Sequence, residues 1–342
     1  VSGSRDCDLP FPPDFLKRFR EIIPPQDVQK YLATFRAERR VSFRLNTLKV
    51  TPEELEHELQ RLGISFERVT WLPEAYLATP QSRESLVNCP AFLEGRLYLQ
   101  DLSSMLAVHV LDPQPGEEIL DLAAAPGGKT CHMAARMNNQ GRIAAVEAIP
   151  QRLYKLVANL QRAGVTIAKT YLTDGRTVGK KTPDRFDRVL LDAPCSSEAR
   201  FDACDPASWR HWNLRKIAEC SRKQKGLLHS ALQAVRPGGV VLYCTCSFAP
   251  EENEGVIDHV LKQWKGTLEV EPLEISLPNV MPGITTWQGR EFDPSVQLAC
   301  RILPTDEMHG FFLCRLRKLT DDTSDYSSKK QRSRRLRNRK SY

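Results

Sequence analysis

Two cysteines and an aspartate stand where the chain could do chemistry. Asp192-Ala193-Pro194-Cys195-Ser196-Ser197 closes the apolar run that begins at Arg188, and Tyr243-Cys244-Thr245-Cys246-Ser247-Phe248 closes another that begins at Val240. A thiol at a strand end, beside a pocket, is placed to act as a nucleophile once deprotonated. The competing reading for a cysteine is a small buried hydrophobe, and it holds for several of the ten present. Structural zinc needs a second well-spaced Cys/His pair, which Cys244-x-Cys246 lacks, so no metal is expected. Disulfides are not expected either, because no secretory signal is visible and the chain is long enough for a proper core.

A second segment gives the thiols a context. Asp121-Leu122-Ala123-Ala124-Ala125-Pro126-Gly127-Gly128-Lys129-Thr130 follows the apolar Glu118-Ile119-Leu120 and precedes a helical pattern, Cys131 to Met137. It reads as strand, glycine turn, helix, a geometry that lays backbone N–H groups and a helix N-terminus against a ligand. Gly128-Lys129-Thr130 fits the end of a phosphate-binding P-loop, but Ala123 stands where that loop needs its first glycine. The Gly-x-Gly-x-x-Gly of a dinucleotide site is also absent. An S-adenosylmethionine site, which wraps no pyrophosphate, and an ordinary strand–helix turn remain.

The elements that must position these residues repeat in a strand–helix rhythm. Arg142 to Glu147 is a second strand whose terminal acid falls 20 residues after Gly127, where a ribose-binding carboxylate is expected. A helix with Leu153, Leu156, Val157 and Leu160 on one face follows and ends at Gly164. Ile167 to Leu172 makes a third strand, closed by Asp174-Gly175, and Arg188 to Asp192 a fourth. A helix over roughly 214–235 leads to a fifth, Val240 to Cys244. Continuous apolar strands alternating with amphipathic helices indicate an α/β fold with a parallel sheet covered on both faces. Its ligands gather at the carboxyl ends of the strands, where Asp121, Glu147, Asp174, Asp192 and Cys246 all fall.

These motifs closely resemble the Sun/Fmu (Nop/Sun) family of S-adenosylmethionine-dependent RNA cytosine-5 methyltransferases. The resemblance is carried by residues 121–130, by Leu190-Leu191-Asp192-Ala193-Pro194-Cys195-Ser196, and by Thr245-Cys246-Ser247 followed by Glu251-Glu252-Asn253-Glu254. Phe43-Arg44-Leu45-Asn46, Gln100-Asp101-Leu102-Ser103-Ser104 and residues 310–316 match as well. It spans about residues 10–318. It implies a Rossmann-like methyltransferase domain over 96–318 and a small α+β RNA-binding module over 1–95; residues 319–342 read from their composition as a disordered basic tail.

The resemblance also implies the chemistry. Carbon 5 of cytosine is too weak a nucleophile to take a methyl group directly. A thiolate adding at carbon 6 makes an enamine whose carbon 5 can attack, which divides one hard step into easier ones. By the resemblance Cys246 adds to the base, Cys195 assists release, Asp192 holds the protonated ring nitrogen, and Lys129 sits near that acid. S-adenosylmethionine is implied to lie on Ala123, Ala124, Ala125, Pro126, Gly127, Gly128 and Lys129. Glu147 would sit on its ribose hydroxyls and Asp174 near its adenine, and Arg152, Gly175, Asp192 and Pro194 are expected among the residues that hold it. The chain departs from the family at Cys244, where serine is common, and at Glu198, where the residue after the second serine is often glycine.

Composition bounds the reading. With 342 residues, 41% hydrophobic and 27% charged, the chain is of globular type with about two domains. No apolar run approaches a membrane span. The net charge is +7, yet residues 329–342 carry eight Lys/Arg and no acid, leaving the rest at −1. That tail reads as an RNA-binding arm, a nuclear address or a solvated end. In the N-terminal module Phe15, Phe19, Ile22 and Ile23 mark one helix, and Val28, Tyr31, Leu32 and Phe35 a second. Thr51-Pro52 with Glu54 marks the capped start of a third. A strand over 41–48 would place Arg44 and Asn46 on one face as an RNA-contacting surface. The expected protein is a monomeric enzyme acting on structured RNA, ribosomal slightly ahead of transfer RNA, in the cytoplasm, or in the nucleus or nucleolus if the tail is an address. A catalytically silent RNA-binding protein would have no use for both thiols. A DNA cytosine methyltransferase would attack with Cys195 and leave Cys246 idle.

Overall fold

The computed structural model describes residues 9–319, so the basic tail beyond them lies outside the described residues. Two helices open the described chain, α1 (Pro13–Ile22) and α2 (Val28–Ala33). Next come β1 (Val41–Leu45), α3 (Pro52–Arg61), β2 (Phe66–Arg68), β3 (Ala75–Ala78), α4 (Arg83–Asn88), α5 (Pro90–Leu93) and β4 (Leu97–Leu99). The four strands form an antiparallel sheet in the order β2-β3-β1-β4. The start of α3 is a capping box, with the Glu54 amide donating to Thr51 Oγ1 at 3.3 Å and the Thr51 amide donating to Glu54 Oε2 at 3.0 Å.

The remaining chain builds one large sheet and a separate two-stranded one. Its elements are α6 (Leu102–Leu111), β5 (Glu118–Asp121), α7 (Gly128–Arg136), β6 (Arg142–Glu147), α8 (Pro150–Arg162), β7 (Ala168–Leu172), α9 (Val178–Lys181), β8 (Phe186–Asp192), α10 (Leu214–Ala234), β9 (Val235–Thr245) and α11 (Glu254–Gln263). Five short strands and one long one follow: β10 (Leu268–Glu271), β11 (Val280–Pro282), β12 (Thr286–Trp287), β13 (Arg290–Glu291), β14 (Cys300–Ile302) and β15 (Phe311–Lys318). The main path of the large sheet is β11-β14-β15-β9-β8-β5-β6-β7, with β10 paired to β15, and the separate sheet is β12 with β13. The five strands expected from the sequence are parallel, as anticipated. The other four are antiparallel and make the sheet mixed. The chain runs outward from β5 to β7 and then returns to β8 on β5's other side. The crevice between β5 and β8 is therefore the topological switch point, where ligands of such sheets bind.

Two expectations about the N-terminal region change. First, the strand expected over 41–48 stops at Leu45. Asn46 turns the chain, its Oδ1 accepting from the Leu48 amide at 3.2 Å. Second, the described residues of the 1–95 module do not share one core. Val41, Phe43, Leu45, Leu55, Leu59 and Tyr76 form a core of their own. Phe11, Phe15, Phe19 and Phe35 belong instead to the large core of the main domain, in edge and tilted contacts with Phe201, Trp212 and Phe248. Aromatic rings bury the most area per residue, so the helices dock where other rings wait.

Candidate active site

The site lies along the carboxyl ends of β5, β8 and β9. Cys195 follows β8 and Cys246 follows β9, and because those strands are parallel neighbours their ends bring the sulfurs to 3.2 Å. Cys246 is 8% exposed, and Cys195 is partly exposed. Their environments divide the pair. A hydrogen bond from Cys195 holds the Cys246 thiol below the usual thiol range against the penalty of burial, and the Arg200 guanidinium adds to this. The bond to Cys246, together with burial, pushes Cys195 up. One sulfur is thus prepared as thiolate and the other keeps its proton.

Beside the thiols sits an ion pair. Lys129 Nζ donates to Asp192 Oδ2 at 2.7 Å and to Ser104 Oγ at 2.6 Å, and lies 5.5 Å from the centre of the Phe311 ring. Burial alone would lower the lysine, but Asp192 and the neighbouring Cys244 reverse this, and it stays charged. Cys244, fully buried on β9, is pushed up by burial and is no rival nucleophile. The strand ends at Thr245, so Cys246 lies in the turn beyond it.

Further along the row is a cleft lined by Tyr98, Asp101, Ser104, Ala123–Pro126, Gly128, Lys129, Asp192 and Arg200. Gly128 of the glycine turn lines this cleft, whereas Gly127 faces Leu156 of α8. Gly127 has φ +109°, and a Cβ there would meet Leu156 Cδ1 at 2.9 Å; a Cβ on Gly128 would meet the Tyr98 ring at 3.1 Å. Asp121, 1% exposed, accepts from Thr130 Oγ1 at 2.7 Å, and burial raises its carboxyl to about 7. Glu147 ends β6 as expected, with Oε1 accepting from the Ala148 and Ile149 amides, both at 2.9 Å. Arg152 reaches across, donating to the Ala125 carbonyl at 2.7 Å and facing Glu147 Oε2 at 3.5 Å. Asp174 follows β7, gripped by Arg176 at 2.6 Å, and Gly175 packs under Leu122 and Leu227. Pro194 offers its carbonyl to Gln224 at 3.0 Å. Among the described residues no group of His, Cys, Asp or Glu is placed to hold a metal, and no helix is long and apolar enough to cross a membrane.

Arg44 and Asn46 require correction. They are 1% and 3% exposed, so neither presents a face to RNA. Arg44 Nε donates to Gln100 Oε1 at 3.2 Å, and Asn46 Nδ2 donates to the Gly95 and Ala163 carbonyls at 2.8 and 2.9 Å. The alternation argument put both side chains on one face; the face is covered by the main domain. Lys49 joins the same seam through the Glu94 and Arg162 carbonyls, and Glu74 adds bonds to His132 and Arg136.

Sequence reading missed Arg200, which no motif marked, and the roles of Tyr98 and Ser104. It also missed a buried network behind the thiols, built from Glu198, Gln224 and Glu252. Glu252 stood in a quoted motif, but nothing in the sequence said which of its three acids turns inward.

Two family models and several relatives match the chain. The model of the family described as 16S rRNA methyltransferase RsmB/F matches residues 108–317, and that of the N-terminal domain of 16S rRNA methyltransferase RsmF matches residues 11–102. The chain is 36% identical over 314 residues to ribosomal RNA small subunit methyltransferase F of Aeromonas salmonicida, covering 90% of this chain and 64% of that one. It is 37% identical over 314 residues to the 28S rRNA (cytosine(4447)-C(5))-methyltransferase of Homo sapiens, covering 90% of this chain and 38% of the human protein. The crystal structure of a methyltransferase homologue from Pyrococcus horikoshii superposes with a TM-score of 0.73 at 32% identity, over 90% of this chain and all of that one. A family model that spans most of the catalytic sheet, and relatives at this identity, place the chain: it belongs to the RsmB/F family.

Proposed function

We propose that the protein methylates carbon 5 of a cytosine in ribosomal RNA, using S-adenosylmethionine and a covalent link through Cys246. The observation that carries the reading is the thiol pair, 3.2 Å apart at the ends of adjacent strands beside the Lys129–Asp192 ion pair. The names of the relatives support ribosomal over transfer RNA.

The Cys246 thiolate forms a sulfur–carbon 6 bond while Asp192, oriented by Lys129, holds the proton taken up by the ring nitrogen. Carbon 5 becomes nucleophilic. The residues of the Ala123–Lys129 turn, with Glu147 and Arg152, fit S-adenosylmethionine because Ala123–Pro126 and Gly128 line the cleft with small side chains. When bound, that cofactor supplies an electrophilic methyl group. A base then removes the carbon 5 proton, the sulfur–carbon 6 bond breaks, the ring nitrogen gives its proton back to solvent, and the thiolate returns to Cys246 with Cys195 assisting release. The target cytosine must be unpaired or flipped, because a duplex hides carbon 6. We assign RNA contact to the cleft lined by Arg39, Arg40, Arg83, Gln100 and His309, which opens beside the cofactor turn. This takes the place of Arg44 and Asn46.

Incubation with ribosomal RNA and methyl-labelled S-adenosylmethionine tests the reading. Wild type should label cytosine carbon 5, Cys246→Ala should label nothing, and Cys195→Ala should leave a protein–RNA adduct on a denaturing gel. An adduct in Cys246→Ala but not in Cys195→Ala would reverse the two roles.

A further inference from the structure

Behind the thiols two carboxylates are buried without an ion pair among the described residues. Glu252 and Glu198 are 0% and 2% exposed. Glu252 Oε2 accepts from the Ser196 amide and from Gln224 Nε2, both at 2.9 Å. Its Oε1 accepts from Ser196 Oγ, and from Ser247 Oγ at 2.9 Å. Its carbonyl accepts from Tyr243 Oη of β9 at 2.5 Å. Glu198 holds the other flank, accepting from Ser247 Oγ at 3.1 Å, the Phe248 amide at 2.8 Å and Trp212 Nε1 at 2.9 Å.

The partners explain the placement. Ser196 is the residue after Cys195, and Ser247 is the residue after Cys246. Their hydroxyls lie 3.0 Å apart, and one carboxylate grips both. Gln224 of α10 braces the same turn by also donating to the Pro194 carbonyl. Stability gives no reason for such a group, since a buried carboxylate costs desolvation that an apolar side chain would not. Geometry does: the hydrogen bond between the two sulfurs needs their turns at a fixed spacing, and a misplacement of about an ångström at a reacting site can cost about 100-fold in rate.

We infer that Glu252 is a positioning residue that clamps the turn carrying Cys195 to the turn carrying Cys246 and so sets the spacing of the two thiols. The inference deepens the proposed function and rests on it. Glu252 touches no substrate; it acts through Ser196 and Ser247. Burial, with Glu198 beside it, raises the Glu252 carboxyl to about 7, so a neutral amide of the same shape can replace it near neutral pH.

The test uses the whole chain and two readouts. The first is the pH profile of Cys246 alkylation by iodoacetamide, followed by mass spectrometry without RNA. The second is kcat, KM and adduct formation with ribosomal RNA and S-adenosylmethionine. Glu252→Ala should move the alkylation profile to higher pH, because Cys195 no longer donates to the thiolate. It should lower kcat about 10- to 100-fold with KM for RNA little changed, and adduct should accumulate because release needs both sulfurs. Glu252→Gln should restore both readouts. If Glu252→Ala does not fold, Ser196→Ala removes one of the bridging hydroxyls and should move both readouts the same way by less. An unchanged alkylation profile in a folded Glu252→Ala, or in Ser196→Ala, would overturn the inference. So would a Glu252→Gln as impaired as the alanine variant. A wild type that methylates no RNA would reject the proposed function instead, and the alkylation readout would still judge Glu252.

Discussion

At the ends of β8 and β9 every reacting side chain comes with a partner: Cys246 with Cys195, Asp192 with Lys129, and both thiol turns with Glu252. At the end of β5 the cleft is lined instead by the small residues Ala123–Pro126 and Gly128, and Arg152 of α8 holds that turn through the Ala125 carbonyl. Under the proposed function the difference follows from two tasks. Bond making at one carbon atom needs side-chain atoms fixed to fractions of an ångström, which burial and cross-linking provide. Holding a cofactor needs a shape the ligand can enter, which a permissive main chain provides.

The comparison breaks most visibly at Cys246. Cys246→Ala should lower methylation by roughly 10⁴-fold or more, as loss of a covalent nucleophile does, while calorimetric binding of S-adenosylmethionine stays as in wild type. A variant that lost cofactor binding as well would show that the two halves are not separate. The converse is Gly127→Ala, where φ +109° and the nearby Leu156 leave a Cβ no room. It should weaken cofactor binding about tenfold, from a strain of 1–2 kcal/mol. It should leave the alkylation profile of Cys246 unmoved.

Two smaller effects sharpen the picture. Asn46→Ala removes the bonds to the Gly95 and Ala163 carbonyls at the buried seam. It should cost about 2 kcal/mol in a denaturant titration without altering which nucleotide is methylated. A change of site would give the N-terminal sheet a direct aiming role through this residue. Asp121 tests the cofactor half by pH. In the folded chain it keeps its proton up to about pH 7, against an ordinary value of 3.8. The folded state binds more protons across that window, so this residue makes stability fall as pH rises through it. Asp121→Asn should therefore melt above wild type at pH 8 and level with it at pH 3. A variant that melts lower at pH 8 would mean that the charged form is the one the fold favours.

The sequence was most legible where main-chain geometry imposes residue type. The Ala-Ala-Ala-Pro-Gly-Gly turn, the five parallel strands and the Thr51 cap could be read because glycine, alternation and capping leave local marks. The strand-end thiols were legible too, since each ends an apolar run. Arg44 and Asn46 misled because strand alternation tells which residues share a face but not what covers that face. Glu252 was silent for a related reason: Glu251, Glu252 and Glu254 stand within four positions but diverge in space. Glu251 pairs with Arg18 at 2.6 Å, Glu254 with the buried Arg301 at 2.6 Å, and only Glu252 reaches the thiol turns. β15 went unread because its partner β9 lies some 70 residues earlier, and pairings over such distances leave no periodic trace in either segment.

The docking of α1 on the main domain bears on the order in which the molecule can assemble. Phe15 and Phe19 are among the first described residues to leave a ribosome, yet the rings they pack on, Phe201, Trp212 and Phe248, follow some 180 to 230 positions later. Arg18 waits as long for Glu251. The sheet β1–β4, whose contacts are local, can close in the meantime. Until those residues are made, α1 can shelter only against near neighbours such as Phe11 and Phe35, and apolar segments in that state recruit chaperones or aggregate. Its docking then brings the bond to Glu251, one residue from the clamp on the two thiols.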